Sequence, residues 1–159
     1  MSELHTMELL IELNRSSELF NSQVFTNHSI FAQSAFIEIL IRLNYLLQEL
    51  DKNDNRLIWS DDVQTSQDIK DITDLVNNLR NAACHSDSQN NYVSNTNIKF
   101  VFNIFVGKSP NAVKIGESIF LGNEYQDDVA FYYGDKRIYL RRHIKRLLEE
   151  LPSKIRKLK

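Results

Sequence analysis

The sequence predicts a mainly α fold, an antiparallel helical bundle with a small antiparallel β-meander inserted before its last helix. Three observations carry that expectation. Apolar residues recur at helical spacing over about 2–21, 27–50, 66–85 and 139–151. The period drops to two between about 98 and 135. A chain of 159 residues with 42% hydrophobic content has room for one well-buried core and little for a second, so a single domain over 1–159 is expected.

In the first helix Leu4, Met7, Leu10, Ile11 and Leu13 make the apolar stripe, while Glu3, Glu8, Glu12 and Arg15 face water. The second, from about Asn27 to Leu50, is apolar nearly all round, with Ile30, Phe31, Phe36, Ile39, Leu40, Ile41, Leu43, Leu46, Leu47 and Leu50. Such a helix must be covered on every side, either by the rest of the bundle or by a second subunit. Trp59 lies in the next connection and reads as a core plug between helices. Thr65 and Ser66 offer an N-cap for the third helix, which buries Ile72, Leu75, Val76 and Leu79 and stops just past His85 in a run of turn-forming residues.

The β segment places Phe100, Phe102, Ile104 and Val106 on one face and turns at 107–111. Two further strands are expected over Ala112–Leu121 and Asp128–Tyr133, followed by a turn at Gly134-Asp135. The last helix, about Tyr139–Leu151, buries Leu140, Ile144, Leu147, Leu148 and Leu151 and presents Arg141, Arg142, Lys145 and Arg146 outward. Pro152 is expected to close it and to leave Ser153–Lys159 loose.

The net charge of −2 hides a strong segregation: residues 1–135 hold nine basic and nineteen acidic residues, and residues 136–159 hold ten basic and two acidic. A basic tail beside an acidic body calls for a phosphate-rich or acidic partner. With a single cysteine, Cys84, no intramolecular disulfide can form, which fits a reducing, cytoplasmic setting. The first residues lack the basic flank and apolar core of a signal peptide, and no apolar run is long enough for a membrane span. His5, His28 and His143 are too dispersed for a metal site, and neither a metal nor a cofactor is expected. His143 reads as a neutral surface residue, and Cys84 as a small buried hydrophobe.

Chemistry concentrates at the end of the third helix, in Arg80-Asn81-Ala82-Ala83-Cys84-His85. Residues four apart share a helical face, so Asn81 and His85 stand one turn apart with Arg80 beside them. A guanidinium can grip two phosphate oxygens and stays charged. An imidazole can move protons near neutral pH, and the amide can orient that ring or hold a ribose. One histidine cannot serve both ends of a cleavage reaction, whereas two copies across a symmetry axis could. The simpler alternative pairs Arg80 with Asp74, Asp87 or a helix-end carbonyl and leaves His85 as a plain helix C-terminal residue.

These residues resemble the Arg-x4-His motif of the HEPN superfamily, in which the arginine is commonly followed by Asn, Asp or His. The resemblance covers about residues 1–90 and the closing helix. It implies a HEPN-like helical bundle that pairs as a homodimer, so that two motifs line one cleft. It also implies metal-independent endoribonuclease activity by 2′-hydroxyl attack, often in a toxin or defence effector held by an antitoxin or regulatory protein. In that reading Arg80, Asn81 and His85 are catalytic, and Arg141, Arg142, Lys145 and Arg146 guide RNA. A tyrosine two residues after the histidine is common in HEPN toxins paired with a nucleotidyltransferase antitoxin; Asp87 stands there here. The alternative is a non-catalytic HEPN-like module that binds a nucleotide or a protein.

Overall fold

Asp128 and its neighbours in the strand that follows it organise more of this molecule than a helical bundle would allow. The computed structural model describes residues 2–26 and 29–158. It is 46% helical and 19% strand, a mixed α/β fold, which corrects the expectation of a mainly α bundle. Four helices, α1 (Glu3–Asn21), α2 (Ala32–Lys52), α3 (Ile72–Cys84) and α4 (Arg146–Ile155), pack on one face of an antiparallel sheet. That sheet has the order β1 (Val101–Val106), β4 (Val129–Tyr133), β5 (Lys136–Tyr139). A separate hairpin, β2 (Ser109–Ile115) with β3 (Ile119–Asn123), covers the other face.

The reason lies in β4. All five of its residues are buried, so no solvent face exists and the sheet must be a middle layer. Alternation sends Val129, Phe131 and Tyr133 toward the helices, and Ala130 and Tyr132 toward the hairpin. On the helical side Phe131 stacks on Phe36 of α2 at 4.4 Å between ring centroids, with Phe25 edge-on at 5.5 Å. On the other side the Tyr132 hydroxyl donates to the Gly122 carbonyl at 2.8 Å and accepts from its N–H at 3.2 Å.

A bulge at Phe102, whose φ is +49°, shifts the β1 register between Val101 and Asn103. Phe100 therefore belongs to the hairpin-side core while Phe102 and Ile104 belong to the helical core, and Val106 is exposed; the four do not share a face. The stretch expected as one strand over Ala112–Leu121 is folded back on itself around Gly116. β5 occupies residues expected to lead into the last helix.

Among the helices, α2 is the central one, and eight of its side chains are buried. Residues 27 and 28, where its start was expected, lie outside the described residues, as does His28. Ser2 caps α1 as an acceptor from the His5 N–H. Only part of the expected α1 stripe faces inward, namely Leu13 and the partly buried Leu10. Leu9, Leu13 and Ser16 are buried, whereas Leu4, Met7 and Ile11 are exposed. The N-cap of α3 is Asp71, not Thr65 or Ser66; its carboxylate accepts from the Asp74 N–H at 2.9 Å and is itself held by Arg56.

The last helix begins with wide π-type turns over Leu140–Lys145 and continues as α4. Pro152 sits inside α4 without ending it, and Ile155 and Leu158 are buried, so the terminal residues pack into the core instead of hanging loose. Trp59 is half-buried against that core, with its indole N–H on Glu150 at 3.1 Å. Among the described residues no helix is long and apolar enough to cross a membrane.

Candidate functional site

The last turn of α3 carries the Arg80, Asn81 and His85 cluster, and the loop after it fixes how that turn ends. Burial of Ile72, Leu75, Val76, Leu79 and Ala82 against the core turns the opposite flank of α3, with Arg80 and Asn81, toward the surface. The Arg80 guanidinium donates through Nη1 to the Asn81 side-chain oxygen at 2.9 Å, and the main-chain carbonyl of Asn81 accepts the His85 N–H at 3.1 Å. Asn81 thus touches both other members, but its side chain orients the arginine and not the imidazole. Arg80 has no carboxylate within ion-pair distance among the described residues, and Asp74 is taken by Arg56 at 2.5 Å.

His85 caps the helix with an extended backbone, φ −128° and ψ 107°, and its side chain is exposed. Among the described residues the ring has no hydrogen-bond partner. Its carbonyl, by contrast, is held twice: the Asn91 side-chain amide donates to it at 2.8 Å and the Ser88 N–H at 3.0 Å. Asn91 closes a short 3₁₀ turn, Gln89–Asn91, and the neighbouring Asn90 amide reaches back to the Asn78 carbonyl at 3.3 Å. The loop is in this way laced to both turns of the helix end.

Beside Cys84 and Ser86, on either side of His85 in the chain, lies a cleft of about 320 Å³ lined by Gln33, Ala82, Ala83, Asn91, Lys99, Val101 and Tyr133 as well. The Lys99 ammonium donates to the Ser86 carbonyl at 2.6 Å. Tyr133 is 1% exposed, and its hydroxyl, faced by the Gln33 side chain, makes no hydrogen bond of ordinary geometry among the described residues; neither does the side-chain oxygen of Asn91. Burial pushes the Tyr133 hydroxyl above the ordinary phenol range; the Gln33 amide works against this and the Cys84 thiol adds weakly to it. Cys84 itself is an exposed thiol, not the buried hydrophobe its spacing suggested.

No family model matches the chain, and neither a curated protein nor a solved structure does.

The basic residues of the last helix are arranged around acids of the same chain. Asp128, fully buried, accepts from the main-chain N–H groups of Arg141 at 2.8 Å and Arg142 at 3.1 Å and from the Arg142 guanidinium at 3.0 Å. Arg142 also pairs with Asp127 and lies 3.4 Å over the Tyr125 ring. Arg146 bridges Asp61 and Glu150 and stacks 4.0 Å from the Trp59 ring. Of the four residues expected to guide RNA, only Arg141 and Lys145 are exposed, and Lys145 stands 3.7 Å from Glu149. The basic tail has found much of its acidic partner within the same molecule.

His143 is buried, not a surface residue. Its Nδ1 accepts the Tyr139 N–H at 3.0 Å and its Nε2 lies 3.1 Å from the Asp61 carbonyl, a pairing that requires the neutral Nε2–H tautomer. Desolvation pulls its pKa down from 6.5 to about 4. Among the described residues no three His, Cys, Asp or Glu side chains are grouped to hold a metal ion.

Sequence reasoning found the local cluster and missed the cleft. Asn91, Lys99 and Tyr133 come from a 3₁₀ turn, the segment before β1 and strand β4, and nothing in their spacing advertises that they meet.

Proposed function

We propose that this protein is a metal-independent endoribonuclease of the HEPN type acting as a homodimer, with Arg80 and His85 as its chemical groups. The observation that carries the reading is an exposed imidazole at the same helix end as a guanidinium held by an amide; among the described residues the imidazole has no side-chain partner and the guanidinium no carboxylate. A catalytic acid or base must be free to reach substrate, and a phosphate-binding arginine must not be neutralised in advance.

In this reading one His85 takes the proton of the ribose 2′-hydroxyl as its oxygen attacks the phosphorus. His85 of the partner subunit delivers a proton to the departing 5′-oxygen, which leaves a 2′,3′-cyclic phosphate and a 5′-hydroxyl. Both Arg80 guanidiniums share the extra negative charge of the phosphorane. Asn81 acts through Arg80. An apolar surface beside the motif supports the pairing: Ile30 and Phe31, 89% and 66% exposed, precede Gln33, which lines the same cleft as Cys84. A cytoplasmic location and control by an antitoxin or regulatory protein belong to the same proposal. The fold correction limits the resemblance to the motif and its supporting helices.

The test is incubation of the purified chain with mixed RNA in EDTA, together with Arg80→Ala and His85→Ala. Cleavage by the wild type that both variants lose while remaining folded supports the reading. An intact RNA pool under all salt conditions points to the non-catalytic binding module instead.

A further inference from the structure

Many of the cations in this fold are occupied by its own acids. Arg56 meets Asp51, Asp71 and Asp74, Arg142 meets Asp127 and Asp128, and Arg146 meets Asp61 and Glu150. Lys52, Lys136 and Lys145 likewise stand beside Glu49, Asp135 and Glu149. At the end of α3 the pattern breaks. Arg80 reaches the Asn81 amide, and the exposed Lys99 reaches a main-chain oxygen, the Ser86 carbonyl at 2.6 Å. Among the described residues neither has a carboxylate within ion-pair distance, although Asp87 stands in the same loop.

The backbone on either side of Lys99 is fixed. Lys99 forms a β-bridge with Tyr92, the Ile98 carbonyl accepts the Val93 N–H at 2.9 Å, and the Asn91 carbonyl accepts the Phe100 N–H at 2.9 Å. Asn91 is the residue whose side chain holds the His85 carbonyl. One asparagine therefore ties the lysine's segment to the helix end that carries the imidazole, and the ammonium rests on the carbonyl of the residue after His85. An ammonium has three donors and the Ser86 carbonyl takes one, so two remain for an anion. Beside a group that cuts a phosphodiester, the anion at hand is the next phosphate of the same strand, which a compact point charge suits.

We propose that Lys99 binds a phosphate flanking the cut, so that the substrate is a strand with a charged neighbour to the scissile linkage and not an isolated linkage. The inference rests on the ribonuclease reading, but its test separates the two. The simpler role for Lys99 is to close the loop against the negative end of α3. Lys99→Gln keeps a side-chain N–H donor and removes the charge, whereas Lys99→Arg keeps the charge. A 2′-O-methyl oligonucleotide with one unmodified ribose has one cleavable linkage, and each phosphate next to it is replaced in turn by an uncharged methylphosphonate. In the wild type one of these replacements is expected to lower kcat/KM by about tenfold, the worth of one charge-assisted hydrogen bond. Lys99→Gln is expected to cut the all-phosphate strand about tenfold more slowly and to be indifferent to that same replacement, and Lys99→Arg to behave as the wild type.

A loss on replacement that is the same in Lys99→Gln as in the wild type, or no loss in the wild type at all, overturns the phosphate contact and leaves the nuclease standing. Where the wild type leaves this strand uncut, Lys99 is decided by fluorescence anisotropy on the same strand, and the nuclease reading by the mixed-RNA digestion alone. The slope of log Kd against log salt concentration is expected to fall by about 0.7 in Lys99→Gln, the share of one phosphate contact on a single strand. An unchanged slope, or no binding by the wild type, overturns the proposal.

Discussion

The Asn91 side-chain amide donates to the His85 carbonyl at 2.8 Å, and through that bond a loop residue six positions on decides how α3 ends. Asn91→Ala removes the donor and leaves a helix-end acceptor short of a partner. A loss of about 1–2 kcal/mol follows, or roughly 2–6 °C in thermal midpoint for a chain of this size. Calorimetry checks the first number. The cleavage rate is expected to fall by at least about tenfold, because the segment that presents His85 is no longer pinned.

His85→Ala alters an exposed side chain and is expected to change stability by no more than about 0.5 kcal/mol, while lowering cleavage by about 10²–10⁴-fold. Asn81→Ala is expected to act on the same reaction less severely, by freeing Arg80 from its fixed orientation. The ordering Asn81→Ala above Arg80→Ala and His85→Ala in residual rate, measured on one labelled oligonucleotide, is the checkable outcome. Equal loss in all three would contradict the orienting role.

Arg142 and Asp128 form a pair whose acid is fully buried. Asp128→Ala leaves the guanidinium only its exposed Asp127 partner and uncaps the last helix, an expected cost of about 3 kcal/mol by chemical denaturation. Arg142→Ala and Arg146→Ala should likewise appear mainly in stability. The exposed Arg141 and Lys145 carry any RNA contact from this helix, so Arg141→Ala with Lys145→Ala should reduce the salt dependence of RNA binding with little change in unfolding midpoint.

His143 gives the fold a pH dependence with a definite sign. Its folded pKa, about 4, lies below the 6.5 of an unfolded imidazole, so between those values the unfolded chain binds the extra proton. The stabilising contribution is complete above pH 6.5 and is lost as the pH falls toward 4, a change on the order of 3 kcal/mol. The groups that face this ring are the Asp61 carbonyl, Asp62, Asp128 and Arg137. His143→Gln, compared with the wild type by urea denaturation at pH 7 and pH 5, should show a flatter pH response. An identical slope in both proteins would exclude His143 as its source.

Local chemistry was legible in the chain, and tertiary choice was not. The bounds of α1 and the identity of the Arg80-Asn81-His85 cluster depend on neighbours a turn away. Which side of α1 faces inward depends on α2 and α4, and it is the side of Leu9 and Leu13, leaving Leu4, Met7 and Ile11 in water. The start of α3 was misplaced because Asp71 becomes the cap only when Arg56, fifteen residues earlier, arrives to hold it. A one-residue bulge at Phe102 undid the simple alternation of β1, and no periodicity count can see a residue that takes a positive φ. Burial of His143 and exposure of Cys84 were both inverted for the same reason, since each is settled by elements distant in sequence.

The side chains of β4 alternate between two cores, as do those of β1 and β5 beside it, so this sheet partitions a helical compartment from the β2–β3 flap. A wall of that kind lets one room lose order before the other. The flap, held chiefly by Tyr132, Leu121 and their neighbours, is expected to exchange its amide hydrogens sooner than the helices that carry the arginine and the imidazole. Breathing on the far side of the wall and chemistry on the near side are then free to change independently.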